Sequence, residues 1–346
     1  MSDVAATAVA WKQAENRIQD NDRHQARTTL YELLADGVRF DPHYLPSMNS
    51  DHMPMTLCAL YSLGADARTL QAYRHDYARV LRPVASPSGA VTGLIDWRDA
   101  RGDVDAYGTL LICLQTLIGQ QGIKTTVADI LPALLPGMAA EAFHPVIRLA
   151  YGIEFCVPAE VAAALAYMIT TTVEVPLATA VIVDLQVMVE EQAQKPVDGN
   201  WRNFGEGLQR LLQSRQYPQG RVLELAECAA LALAAYRSTR NFFALHMVTA
   251  TQAVRVCSPY VDSAVLLAAT TGALLAAHRL VGSPKLGLPA PAPDKLDREH
   301  CYKYVYACLA EYRHYADQSY LEEVAGFCRQ HLVAAWAGDP ALQLRY

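Results

Sequence analysis

Apolar residues recur at i, i+3 and i+4 in blocks of roughly 10 to 20 along nearly the whole chain, the period that puts one buried face on a helix. The blocks are cut by Pro- and Gly-containing breaks such as "RPVASPSG", "LLPGM", "QKPVDGN", "RQYPQG" and "VGSPKLGLPAPAPDK". Strand signals are nearly absent: period-two alternation is scarce and no Asn-Gly hairpin occurs. The pattern therefore predicts an all-α, single-domain multi-helix bundle of about a dozen helices. The longest break, about 282–295, reads as a Pro-rich crossover loop running extended over the surface. It is kept inside one domain spanning 1–346, because the helix after it repeats the chemistry of helices before it. "TTTVEVPLATAVIVDLQ" is rich in β-branched residues and is the segment least suited to a helix.

Composition narrows the class of partner. The 346 residues are 52% hydrophobic and 18% charged, enough apolar material for a sizeable core and too little charge for a disordered chain. The formal charge of -6, with no Lys/Arg run, excludes a basic face for nucleic acid. No apolar stretch runs uninterrupted for the ~18 residues a membrane span needs, and the N-terminus lacks the basic-then-apolar layout of a secretory signal. Eight cysteines stand singly, without a CxxC pair, which favours buried reduced thiols over disulfides or zinc. The expectation is a soluble cytoplasmic protein that meets a small molecule, with no nucleic-acid or membrane partner.

Four segments share one layout: "HMPMTLCALYSLGA" from His52, "HPVIRLAYGIEF" from His144, "HMVTATQAVRVC" from His246 and "HCYKYVYACLAEY" from His300. Each places a histidine at the head of an apolar run, with Ser, Asp, Glu or Asn upstream as cap candidates. Thr56, Arg148, Thr249 and Lys303 follow at i+3 or i+4, on the same helix face as the histidine. A single such histidine is ordinarily a core residue with a hydrogen-bond partner. Four on well-separated helices can instead surround one transition-metal ion, if the helices converge. Spacing does not decide between these two readings. Imidazole suits Zn, Fe, Cu and Ni alike, so ligand type does not choose the metal.

The remaining histidines read as surface or loop residues (His24, His43, His75, His314, His331), with His278 near a helix end where an imidazolium meets the last carbonyls. "EAFH" has the Glu-x-x-His spacing of di-iron bundles, which need the motif twice, and no second copy is present. "RHDY", Arg74 to Tyr77, carries a His-Asp pair without partner motifs. No HExxH, GxSxG, P-loop or GxGxxG occurs, so NADPH or FAD use has no nucleotide fingerprint to support it. In "EHCYK", an apolar pocket around Lys303 would lower its pKa and free a neutral amine for CO2. The competing reading is a lysine that snorkels outward or pairs with Glu299.

The segments "SDHMPMTLCALYSLGA", "AFHPVIRLAYGIEF", "LHMVTATQAVR" and "EHCYKYVYACLAEYRHYAD" together resemble the questin oxidase-like family. The resemblance runs from about "NDRH" to "YLEEVAGF", and includes the Trp-containing stretch "IDWRDARGDVDAYGTLLICLQTLI". It implies an all-helical fold and an oxidoreductase. The implied reaction is Baeyer–Villiger-type oxygen insertion or ring C–C cleavage on an aromatic polyketide or hydroxyquinone. The implied ligands to a mononuclear Fe(II) are His52, His144, His246, His300 and a carboxylated Lys303, with O2 as co-substrate. Tyr151, at i+7 from His144, and Arg148, at i+4, are the candidate substrate contacts. Arg148 has a second candidate role, pairing with a carboxylate such as Glu154. The chain departs from the family pattern around Gln252 and Arg255. Two other readings stay open: a flavin- or NADPH-dependent Baeyer–Villiger monooxygenase, and a non-catalytic α-helical ligand-binding protein.

Overall fold

A computed structural model describes residues 20–44, 49–85, 96–179, 201–214, 221–287, 290 and 296–327. In chain order its helices are α1 (Asp20–Gly37), α2 (Met53–Ser62), α3 (Ala67–Tyr77), α4 (Tyr107–Leu134), α5 (His144–Glu154) and α6 (Pro158–Thr170). They continue as α7 (Phe204–Ser214), α8 (Leu225–Thr239), α9 (Phe242–Cys257), α10 (Ser263–Leu280), α11 (Arg298–Tyr315) and α12 (Gln318–Phe327). The only extended pairing beyond an isolated bridge, among the described residues, is a two-residue antiparallel ribbon of β1 (His43–Tyr44) and β2 (Asn49–Ser50). The all-α expectation therefore holds. The packing resolves into two compact units, one from residues 1–84 and 291–346, the other from 85–290.

In the first unit α2 packs on α1, α3 and α11, and α11 packs on α12. The ribbon leads straight into α2. Pro54 lies in the first turn of α2, where a missing N–H costs nothing, and Asp51 Oδ1 accepts the Met53 N–H at 2.8 Å. Asp66 caps α3 by accepting the Thr69 N–H. The whole of α2 from Met53 to Leu60 is buried, in keeping with its apolar sequence.

In the second unit α6 packs on α4 and α5, and α9 packs on α5 and α8. The Ala-rich face of α6 lets α5 come close. A Cβ on Gly152 of α5 would lie 3.0 Å from the Val161 nitrogen and 3.2 Å from the Glu160 carbonyl carbon, so glycine is what the crossing requires. Asn241 caps α9 by accepting from Phe243 and Ala244. That cap starts the helix one turn before His246, so this histidine sits inside its helix and does not head it. Residues 172–179 are not helical and lie along α10, with Ala178 donating to the Ala268 carbonyl at 3.0 Å. This is the β-branched segment singled out above; its continuation to Gln186 lies outside the described residues. So do residues 288–289 and 291–295 of the crossover loop, and Cys328 and His331.

Six described cysteines are buried and Cys156 is exposed, and no disulfide joins described residues. By length and composition α10 is apolar enough to cross a membrane, yet 72% of it is buried within the protein, as in a core helix. His278 in its last turn departs from the expected imidazolium: it is fully buried and its Nε2 donates to the Pro284 carbonyl at 3.1 Å. Burial pulls its pKa down to about 4. The folded value lies below the unfolded ~6.5, so the unfolded chain binds the extra proton between these values and stability falls as pH drops from about 6.5 to 4. Urea unfolding should show a flatter acid limb for His278→Gln than for the wild type.

Candidate metal centre

Two buried histidine pairs dominate the polar interior. In the first unit the Nε2 atoms of His52 and His300 are 3.1 Å apart. In the second, the His144 and His246 rings have centroids 4.5 Å apart. All four residues are buried.

The other ring nitrogen of each histidine is already committed. His52 Nδ1 meets the Ser50 carbonyl at 2.5 Å, His144 Nδ1 the Glu141 carbonyl at 2.5 Å, and His246 Nδ1 the Phe242 carbonyl at 2.9 Å. His300 Nδ1 meets the Asp297 carboxylate at 3.1 Å. A carbonyl or carboxylate oxygen can only accept, so Nδ1 carries the proton in each ring. In the neutral imidazole Nε2 is then a bare lone pair. Two lone pairs facing at 3.1 Å repel unless a cation stands with them. Nitrogens bound about 2.0–2.2 Å from a common ion are separated by roughly 2.9–3.5 Å at adjacent positions. The His52–His300 spacing fits that value, and a neutral-imidazole donor set fits a transition metal.

Local backbone builds these contacts in different ways. For His52 the β ribbon fixes Ser50, and the Tyr77 hydroxyl accepts the His52 backbone N–H at 3.1 Å. For His246 the acceptor is the helix carbonyl one turn back. For His300, Asp297 at the start of α11 turns its carboxylate to the ring and makes no capping bond to the helix. His144 is the costly case. Glu141, Ala142 and Phe143 lie at φ 50, 52 and 67, three successive non-glycine residues in the left-handed region. Each costs roughly 1–2 kcal/mol. The turn carries the Glu141 carbonyl back onto His144, so it is the main chain of Glu141 that meets the ring.

Lys303 is 1% exposed, and its Nζ has no hydrogen-bond partner among the described residues. Burial pulls its pKa down to about 7, against the opposing pull of Glu299, Asp297 and Asp51. It does not snorkel, and it forms no close ion pair with a described residue. An orphaned buried amine is where a carbamate or a further polar ligand fits. Arg148 and Tyr151 are also buried. The Arg148 Nε donates to Glu160 at 2.8 Å, so its carboxylate partner is Glu160 on α6 and not Glu154, which is exposed and accepts from Gln252. The Tyr151 ring stacks on Phe155. The residues that sequence reading missed are the acceptors: Ser50, Glu141 and Phe242 through their carbonyls, with Asp297 and Tyr77. Only Asp297, three residues before His300, left a sequence signal.

Residues 49–197 match the family model described as Questin oxidase-like. The match supports the family suggested by the motifs, and it contains His52 and His144 while His246, His300 and Lys303 lie beyond it. No curated protein matches the chain.

If the left-handed turn is held by its role at His144, glycine should relax it at Ala142, whose φ is 52. Ala142→Gly is expected to raise stability by about 0.5–1 kcal/mol in urea unfolding, the relief of strain exceeding glycine's entropic cost. A loss of stability would contradict the strain.

Proposed function

We propose that this chain is a non-haem iron-dependent oxygenase acting on an aromatic polyketide or hydroxyquinone-like small molecule, with O2 as co-substrate. One observation carries the reading: buried imidazoles stand in two close pairs, His52 with His300 and His144 with His246, and each ring has Nδ1 committed to an acceptor. The Questin oxidase-like match supplies the reaction class, an oxidase. Fe(II) is our choice among imidazole-binding metals because a metal that activates O2 must be redox-active, which sets zinc aside, and because the family resemblance implies iron.

In this reading His52, His144, His246 and His300 hold the iron through Nε2. Lys303 joins them as a carbamate: its neutral amine forms an N–C bond to CO2, one proton leaves, and the anionic oxygens complete the donor set. If bound, iron would supply redox activation of O2 and Lewis acidity; ring C–C cleavage that incorporates both oxygen atoms would draw its electrons from the substrate, and single-oxygen Baeyer–Villiger-type insertion would need two more from a reductant such as NADPH. The protein does the rest. Ser50, Glu141, Phe242 and Asp297 keep the imidazoles oriented with Nδ1 protonated. Arg148 anchors α5 to α6 through Glu160, and so positions His144. Tyr151, on the His144 face of α5, is our proposed contact to a substrate oxygen. We place the reaction in the cytoplasm, where the buried thiols stay reduced.

Purified protein should contain close to one iron per chain by elemental analysis. His144→Ala should lose metal and oxygen uptake while keeping its helical circular dichroism. With 13C-bicarbonate, a carbamate carbon resonance should appear in the diamagnetic zinc-substituted wild type and be absent from Lys303→Met. Full activity without metal, or a stoichiometric flavin spectrum, would replace this reading.

A further inference from the structure

A cavity of about 360 Å³ opens in the first unit, between α3 and the start of α11. Its walls include the rings of Tyr73, Tyr77 and Tyr302. Tyr73 and Tyr77 stack at a centroid distance of 5.6 Å and an angle of 27°, and Tyr302 is buried. Such rings offer flat apolar faces, which favour another ring laid against them. Glu299 and Thr69 also line the cavity, and the Thr69 hydroxyl is buried with no hydrogen-bond partner among the described residues. An alkyl chain filling this space would leave such polar groups unsatisfied, at a cost that ring oxygens remove.

The cavity is also tied to the histidines of this unit. Tyr77, in its wall, accepts the His52 backbone N–H, and its hydroxyl lies 3.4 Å from His52 Nδ1. Glu299 and Tyr302 flank His300 on α11.

We infer that this cavity binds a flat, hydroxylated aromatic molecule, with the rings of Tyr73, Tyr77 and Tyr302 as its stacking walls and Thr69 and Glu299 as the polar groups that meet its oxygens. The inference deepens the oxygenase reading by locating the substrate, and rests on it for the identification of the ligand as substrate. It places the reacting molecule one residue, Tyr77, away from a metal ligand. A volume of about 360 Å³ accommodates a bicyclic or tricyclic ring system and falls at the lower end of small-molecule pockets.

The test uses the full-length, metal-containing protein and 2-hydroxyanthraquinone as probe, followed by its absorbance, with dodecanoate as an aliphatic competitor. Ala72 and Val80 line the cavity from exposed positions, so a tryptophan at either should fill it without disturbing the core. Ala72→Trp and Val80→Trp should each weaken probe binding at least tenfold, with wild-type circular dichroism and metal content. Dodecanoate should not displace the probe. Unchanged affinity in either folded variant, no probe binding to the wild type, or displacement by dodecanoate would overturn the inference. Probe binding that is lost in the tryptophan variants, in a wild type that holds no metal, would support the cavity and sink the oxygenase reading alone.

Discussion

The hydrogen bond from Nδ1 of His52, His144, His246 and His300 to a fixed oxygen is the interaction on which the proposed site depends. It settles the tautomer, the ring orientation and the direction of the remaining lone pair in one step. A core histidine satisfied in the ordinary way has partners on both nitrogens, or one nitrogen at solvent. Here His52 and His300 present Nε2 to Nε2 at 3.1 Å, an arrangement without a stable proton-free form unless a cation is present. That is the physical reason for preferring a ligand set over unrelated core residues.

The fold accepts several unfavourable terms around these contacts. Three left-handed residues before His144 cost on the order of 3–6 kcal/mol together. Burial of Lys303 disfavours its charged form and pulls its pKa down to about 7, and Arg148 and Glu160 are desolvated to pair at 2.8 Å. The offset is apolar: α2, α5, α6, α9 and α10 are buried along most of their length. A core of that extent tolerates strain beside His144, and strained backbone concentrated beside buried polar groups is a feature that functional sites share.

The apolar period made the helical class legible, because a 3.6-residue repeat has one simple way to be buried. The four histidines and Lys303 were legible because imidazole and amine in apolar helices are conspicuous. Their partners were not. A carbonyl acceptor has no residue type, so Ser50, Glu141 and Phe242 left no trace in the sequence. "EAF" contains no glycine or asparagine to announce a left-handed turn, and the Glu141 side chain drew attention to the wrong atom. The helix containing His246 begins earlier than its apolar run suggested because Asn241 is the stronger start signal. His278 kept its place at a helix end but not its charge, since sequence spacing says nothing of how deeply that end is buried.

The claim that the four imidazoles share one ion is tested most directly by X-ray absorption at the edge of the metal that co-purifies with the protein. The account predicts a nitrogen/oxygen shell at about 2.0–2.2 Å with the outer-shell scattering of four imidazoles. A shell with one imidazole or none would contradict it.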